Sequence, residues 1–159
     1  MSASSLDSIP NWRQLSDRLA TGGQPSEDDL VTVAENGYEL VVNLGLTDAL
    51  YALEDEQGLV QALGLEYVHL PVAWEQPEAR ALERFFELMA ASGHRRAFIH
   101  CAANKRVSVF VALYRILQQG WAPAEALAAV RDVWEPNEIW ERFMTECLSR
   151  YGTGPSDSD

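Results

Sequence analysis

Residues 106–119 have the length and composition of a helix, yet the apolar side chains of Val107, Val109, Phe110, Val111, Leu113, Ile116 and Leu117 fall on nearly every side of it. A helix of that kind cannot rest on a surface and has to be covered by other elements. Directly before it, Phe98-Ile99-His100 reads as the end of a buried strand. A strand that feeds a covered helix within a few residues belongs in a layered α/β fold. The rest of the chain supplies the layers. Residues 40–46 (LVVNLGL), 65–72 and 96–100 are short, apolar and rich in β-branched or aromatic residues, as strands covered on both faces are, and a brief strand is expected near 18–21.

Helix signals fill the intervals. Ser26 caps a helix, with Asp29 three residues on and Asn36-Gly37 at its close. Asp48 starts a weaker helix running to Gly64, and Pro77 opens one carrying Leu82, Phe85, Phe86 and Met89 at helical spacing, ended by Ser92-Gly93. Pro123 and Pro136 open the last two. The alternation predicts one α/β domain with a mostly parallel sheet flanked by helices, folded over 15–151, with 1–14 and 152–159 as flexible termini. A chain of 159 residues is long enough to bury a core on this plan.

Charge and cysteine usage narrow the functions. The chain carries 24 acids against 12 Lys plus Arg, a net charge of −12. Such a surface repels phosphate backbones and anionic lipid, so neither nucleic acid nor membrane is an expected partner. No apolar run is long enough to cross a bilayer, and the opening MSASSLDSIPNW lacks the basic flank and apolar core of a signal peptide, so a cytoplasmic location is expected. Cys101 and Cys147 are far apart and outside any CxxC pattern, which reads as two free thiols in a reducing compartment. With no cluster of three ligands, neither a metal nor a cofactor is expected. Oligomeric state is not written in the sequence. Against the acidic background, Arg95, Arg96, Lys105 and Arg106 gather around Cys101.

That position has a definite chemistry. In open α/β sheets, ligands bind beyond the carboxyl ends of the strands, and Cys101 lies there. The covered helix after it presents unpaired backbone N–H groups and the positive end of its dipole, which favours a thiolate over a thiol and an oxyanion over a neutral ligand. One loop thus supplies a nucleophile and a cradle for a tetrahedral anion, as attack on phosphorus or on an activated sulfur requires. The other reading of Cys101 is a small core residue at a turn.

His100-Cys101-Ala102-Ala103-Asn104-Lys105-Arg106-Val107-Ser108 resembles the phosphate loop His-Cys-x-x-Gly-x-x-Arg-Ser/Thr of cysteine-dependent protein tyrosine and dual-specificity phosphatases. The likeness is closer to a bacterial phosphatase-like family also found fused to β-lactamase-like hydrolases, through Gly22-Gly23-Gln24-Pro25, Val42-Asn43-Leu44 and Trp134-Glu135-Pro136. The resemblance implies a four-stranded parallel sheet, no metal and a cysteinyl-phosphate intermediate. It implies Cys101 as nucleophile, Arg106 as oxyanion ligand and Ser108 as the group that eases thiolate departure. Ala102, Ala103, Asn104, Lys105 and Val107 would supply the cradle, His100 would orient it, and Trp74 would wall the site. Gln24 and Asn43 are candidates through the resemblance alone.

Two departures stand out. The family places its arginine six positions after the cysteine; here that position is Val107, and Arg106 comes one earlier. A Cys-x4-Arg loop is similar to that of rhodaneses, which carry a persulfide, so a sulfurtransferase remains an alternative. The loop after the preceding strand, 71–78, holds no Asp for leaving-group protonation; Glu75 is the first candidate and Glu78 the second, each equally readable as a solvated acid at a helix entry. General acid catalysis is worth about 10²–10⁴-fold, so an anion-binding module of weak activity is a third reading. Ser108 and Lys105 are also readable as a plain helix-start residue and a solvated charge. Cys147 lies on the stripe Ile139, Trp140, Phe143, Met144, Leu148 and Tyr151 and reads as core, as does His69 within its strand; His94 reads as a loop residue.

Overall fold

The structure is a computed structural model that describes residues 5–46 and 52–152. Five strands form one sheet: β1 (Arg13–Ser16), β2 (Leu19–Gly22), β3 (Leu40–Asn43), β4 (Glu66–His69) and β5 (Ala97–His100), in the order β1-β2-β5-β3-β4. The last four are parallel and match the apolar runs. β1 is an additional antiparallel edge strand, which the expected four-stranded sheet lacked. Its RQLS sequence is too short and too polar to carry a strand pattern, and it is held by pairing with β2.

Among the described residues the helices are α1 (Glu27–Glu35), α2 (Glu56–Ala62), α3 (Ala79–Ser92), α4 (Lys105–Gln119), α5 (Pro123–Arg131) and α6 (Glu138–Gly152). The start of α1 is a full capping box: Ser26 Oγ accepts from the Asp29 amide at 3.0 Å, and Asp29 Oδ2 accepts from the Ser26 amide at 2.9 Å. Asp48 lies outside the described residues; α2 is capped by Asp55, whose carboxylate accepts from the Gly58 amide at 3.0 Å. Helix α3 starts two residues after Pro77, because Glu78 is still extended (φ −120°, ψ 141°). Pro123 occupies the first turn of α5, whereas Pro136 precedes Asn137, whose side chain caps α6 by accepting from the Trp140 amide at 3.0 Å.

Alternate residues of the inner strands face two separate cores. Leu40, Val42 and Ile99 pack under α3, α4, α5 and α6, while Val41 and Phe98 pack under α1 and α2. Both faces being covered, every residue of β3 and β5 is buried, which is why these strands read as unbroken apolar runs. Helix α4 lies inside the thicker layer between α3, α5 and α6, as its all-round apolarity demands. Since β5 is inserted between β2 and β3, the loop that follows it opens at the middle of the sheet's carboxyl edge.

Residues 5–14, expected as part of a flexible terminus, instead pack against the domain. A short 3-10 turn (Leu6–Ser8) precedes Ile9, which is 1% exposed and touches the core under α1. The Pro10 carbonyl accepts from the Gly23 amide at 2.6 Å. The low-complexity opening MSASS masks this anchor, because one buried isoleucine among polar residues has no periodicity to detect. Ile9→Ala should therefore cost about 2–5 kcal/mol in urea unfolding. A cost below about 0.5 kcal/mol, the range of surface substitutions, would mean that the segment is frayed.

Candidate active site

The strand β5 ends at His100, and α4 begins at Lys105, so four residues make the connection. They can do so because Asn104 holds a left-handed backbone (φ 67°, ψ 4°), which Asn adopts more readily than most residues and which stands where the family motif has Gly. The Asn104 side chain is fully buried, and Nδ2 donates to the Asn11 carbonyl at 2.8 Å and to Thr21 Oγ1 at 3.0 Å. In return Asn11, itself at φ 52°, donates from Nδ2 to the Ala103 carbonyl at 2.9 Å. On the other side the Gln24 amide donates to the Ala102 carbonyl at 2.9 Å and the Cys101 amide to the Gly22 carbonyl at 3.3 Å. Gly23 has to be glycine here, since a Cβ would lie 2.6 Å from the Ala102 oxygen and 3.1 Å from Ala103 Cα, both backbone atoms.

The Ser108 amide donates to the Asn104 carbonyl at 2.9 Å; the amides of Asn104, Lys105, Arg106 and Val107 precede it and, as in any first helical turn, have no acceptor within the helix. Cys101 follows the last residue of β5, is 1% exposed and belongs to the same core cluster as Val107. The thiol is thus a covered group and not a surface one.

Arg106 is 5% exposed; its Nη1 donates to the Val72 carbonyl at 2.8 Å, and its guanidinium lies 5.9 Å from the Trp74 ring centroid. The first residues after β4 are thereby tied to the cradle. Lys105 Nζ lies 6.0 Å from the Trp74 centroid and 5.5 Å from that of Trp134, a cation between two indoles, so it is engaged and not a free surface charge. Trp74, Trp134 and Trp140 pack with centroids 5.3 to 6.4 Å apart, and Trp140 Nε1 donates to the Trp74 carbonyl at 2.9 Å. Trp74 and Trp134 therefore lie beside the first turn of α4, next to Lys105.

Ser108 is half-buried; its hydroxyl donates to the Lys105 carbonyl at 2.7 Å and accepts from Trp134 Nε1 at 3.1 Å. Glu75 is exposed and lines a groove with Pro77 and with Ile139, Arg142, Phe143 and Glu146 of α6, facing that helix. Glu78 is exposed at the start of α3 and makes no side-chain cap. His69 Nε2 lies 2.7 Å from the Gly45 carbonyl, and His94 Nδ1 2.9 Å from Arg18 Nη1, so both have structural partners. Cys147 is buried in α6; burial, with the nearby Glu146 charge adding, pushes its thiol up to about 11. Of the two residues singled out through the resemblance, Asn43 accepts at Oδ1 from the Gly45 amide at 2.8 Å and donates from Nδ2 to the Tyr67 hydroxyl at 3.0 Å, and Gln24 Nε2 donates to the Pro25 carbonyl at 3.0 Å.

Sequence reasoning missed Glu56. This first residue of α2 is 5% exposed; its carboxylate lies 2.5 Å from His100 Nε2 and accepts from Gln24 Nε2 at 2.9 Å. His100 is completely buried and stacks on Phe98, with ring centroids 5.5 Å apart. An acid in the first turn of a helix is usually explained by the dipole, and nothing in the spacing from 56 to 100 links the two. The available signal was His100 itself, since a buried imidazole needs a partner.

A buried thiol at the end of a central parallel strand, under the first turn of a covered helix with an arginine on it, defines a cysteine-dependent phosphatase fold. A family model described as DSP-PTPase phosphatase fused to NAD+ kinase matches residues 4–141, and the chain belongs to that family. It is 26% identical over 106 residues to the beta-lactamase hydrolase-like protein of Xylella fastidiosa, a match covering 65% of this chain and 24% of that protein, so the shared stretch spans about a quarter of the relative. Among solved structures, a DUF442 protein from Shewanella putrefaciens superposes with a TM-score of 0.82 at 29% identity, over 92% of this chain and 96% of that one. The core catalytic domain of the S. cerevisiae PP-IP phosphatase, in complex with citrate, gives a TM-score of 0.72 at 14% identity over 92% and 97% of the two chains. No helix among the described residues is long and apolar enough to cross a membrane, and no group of three or more His, Cys, Asp or Glu among them could hold a metal.

The Glu56–His100 contact makes stability pH-dependent in a defined direction. Burial pushes the Glu56 carboxyl up, but the His100 hydrogen bond and charge, with the Gln24 amide, together hold it below its ordinary 4.5. A depressed carboxyl contributes stability that is complete above its unfolded value and lost as pH falls through the folded one. Urea midpoints should therefore fall for the wild type as pH drops below 4.5. In Glu56→Gln the midpoint should be lower at neutral pH and change less over that acid range; equal slopes for the two proteins would remove this pair from the account.

Proposed function

We propose that this chain is a cysteine-dependent hydrolase of phosphomonoesters, acting through a cysteinyl-phosphate intermediate. The observation that supports the reading is that buried Cys101 ends β5 just before the first turn of α4, where a tetrahedral dianion would meet backbone donors and the positive helix end. In this scheme Cys101 Sγ attacks phosphorus and the ester P–O bond breaks. The leaving oxygen takes its electron pair and then a proton. Water next attacks phosphorus, breaks the S–P bond, and returns the thiolate with inorganic phosphate. The amides of residues 102–107, with Arg106, hold the non-bridging oxygens. His100, fixed by Glu56, orients the loop, and Trp74 with Trp134 and Lys105 borders the entrance. Glu75 is the proposed proton donor, on a segment whose start is tied to the cradle through Arg106 and Val72. Ser108 serves as a latch for Trp134.

Relatives frame the substrate class. Solved neighbours include a phosphatase in complex with PI(5)P and the yeast domain with citrate, both ligands rich in anionic oxygen. A phosphorylated protein or small phosphoester fits the same cradle, and the two free thiols suit the cytoplasm.

The sulfurtransferase alternative is favoured by one observation, the Cys-x4-Arg spacing, which gives a shorter loop than the phosphatase motif. Hydrolysis of p-nitrophenyl phosphate by the wild type beside Cys101→Ser separates the readings. Turnover is expected in the wild type and should vanish in the serine variant; turnover that survives the substitution refutes the thiol mechanism. If neither protein turns over, Cys101-dependent transfer of sulfur from thiosulfate to cyanide would establish the persulfide reading instead. As a second check, iodoacetate near neutral pH should label Cys101 well before Cys147, with inorganic phosphate protecting Cys101. The reverse order would withdraw Cys101 as the nucleophile.

A further inference from the structure

A cavity of about 560 Å³ opens at the end of the sheet opposite Cys101, lined by Arg18, Arg95, Arg115, Tyr114, Trp121 and Met89 among others. Although acids outnumber Lys plus Arg by 24 to 12 in this chain, the lining holds three arginines and no Asp or Glu. Their situations differ. Arg95 is ion-paired with Glu66, and Arg18, exposed at the rim, lies with Nη1 2.9 Å from His94 Nδ1. Arg115 is 7% exposed and, among the described residues, its guanidinium makes no hydrogen bond and no ion pair. It packs flat on Trp121, 4.1 Å from the ring centroid, and feels Glu125 of α5 only at a distance.

The backbone builds this arrangement. Gly120 ends α4 in a left-handed conformation (φ 77°), and the amides of Gly120 and Trp121 both return to the Arg115 carbonyl, the latter at 2.9 Å. That reversal brings the Trp121 ring over the guanidinium. A guanidinium that opens onto a cavity presents its five donors there in a fork suited to a carboxylate, sulfonate or phosphate. Tyr114, Met89, Leu15 and Leu19 give the same cavity apolar walls.

We propose that this cavity is a second binding site, for a small anion that carries an apolar or aromatic body, with Arg115 as the deep anion contact and Arg18 as the outer one. The site is separate from the Cys101 cradle yet built on the same two elements. Arg115 lies about 15 Å along α4 from Lys105 at 1.5 Å per residue, and Ala97 lines the cavity while His100, at the far end of β5, adjoins Cys101. The proposal does not depend on the reaction proposed for Cys101.

Titration calorimetry with naphthalene-1-sulfonate on the wild-type chain tests it, repeated with Arg115→Met, Arg18→Ala and Arg106→Met. Saturable binding at one site is expected, weakened about tenfold or more by Arg115→Met, as loss of a charged hydrogen-bond partner implies. Arg18→Ala, an exposed position that should leave folding intact, is expected to weaken it as well, and Arg106→Met should leave it unchanged. Absence of saturable binding overturns the proposal. So does affinity that both Arg115→Met and Arg18→Ala leave intact, or affinity lost in Arg106→Met, which would put the probe in the Cys101 cradle.

Discussion

The left-handed backbone of Asn104 is the point on which this end of the molecule turns. It lets a buried strand become a buried helix in four residues, so that Cys101 is followed almost at once by the first turn of α4. For a residue other than glycine that conformation costs about 1–2 kcal/mol, and the surroundings offset it by committing the Asn104 side chain to two hydrogen bonds. One of these goes to Asn11, which itself holds a positive φ and closes the reciprocal bond to Ala103. The loop is therefore fixed by the amino-terminal segment on one side and by Gly22-Gly23-Gln24 on the other. The family model begins at residue 4, so it includes that segment.

Electrostatics follow the same division between fixed and open groups. Beneath the loop, His100 and Glu56 form a fully covered pair, with Gln24 adding a second donor to the carboxylate. Breaking a buried pair of this kind leaves one polar group without its partner, which costs more than the pair itself contributes. Above the loop, Lys105 and Arg106 are turned against Trp74 and Trp134, and Arg106 is tethered to Val72. The positive charge that offsets a net charge of −12 is thus positioned by aromatic faces and backbone carbonyls, whereas surface carboxylates pair with Arg13, Arg131 and Arg142 elsewhere.

Much of the site was legible because its signals are local. The apolar strand before Cys101, the all-round apolar helix after it and the spacing to Arg106 lie within one stretch of chain, and each reports its own environment. The same holds for the Ser26–Asp29 capping box and for Pro123, where side chain and backbone satisfy each other within one turn. Reading failed where a residue's role depends on a distant partner. Glu75 lines a groove with α6, and Ser108 bonds Lys105 and Trp134, neighbours that the loop pattern does not display. Ile9 and the first residues of β1, Arg13 and Gln14, looked like a loose terminus because their burial and pairing come from the core under α1 and from β2.

The sequence by itself determined the layered α/β plan and the presence of a thiol at a strand-to-helix junction, since hydrophobic periodicity and capping chemistry act over a few residues. Only the tertiary structure decided what surrounds that thiol, with Glu56 under His100, Asn11 against Ala103 and Trp134 beside Lys105, and what closes the far end of the same helix, with Trp121 over Arg115. Those contacts join residues tens of positions apart or depend on a chain reversal. They are selected by how the layers pack, and no local pattern has to change for them to form.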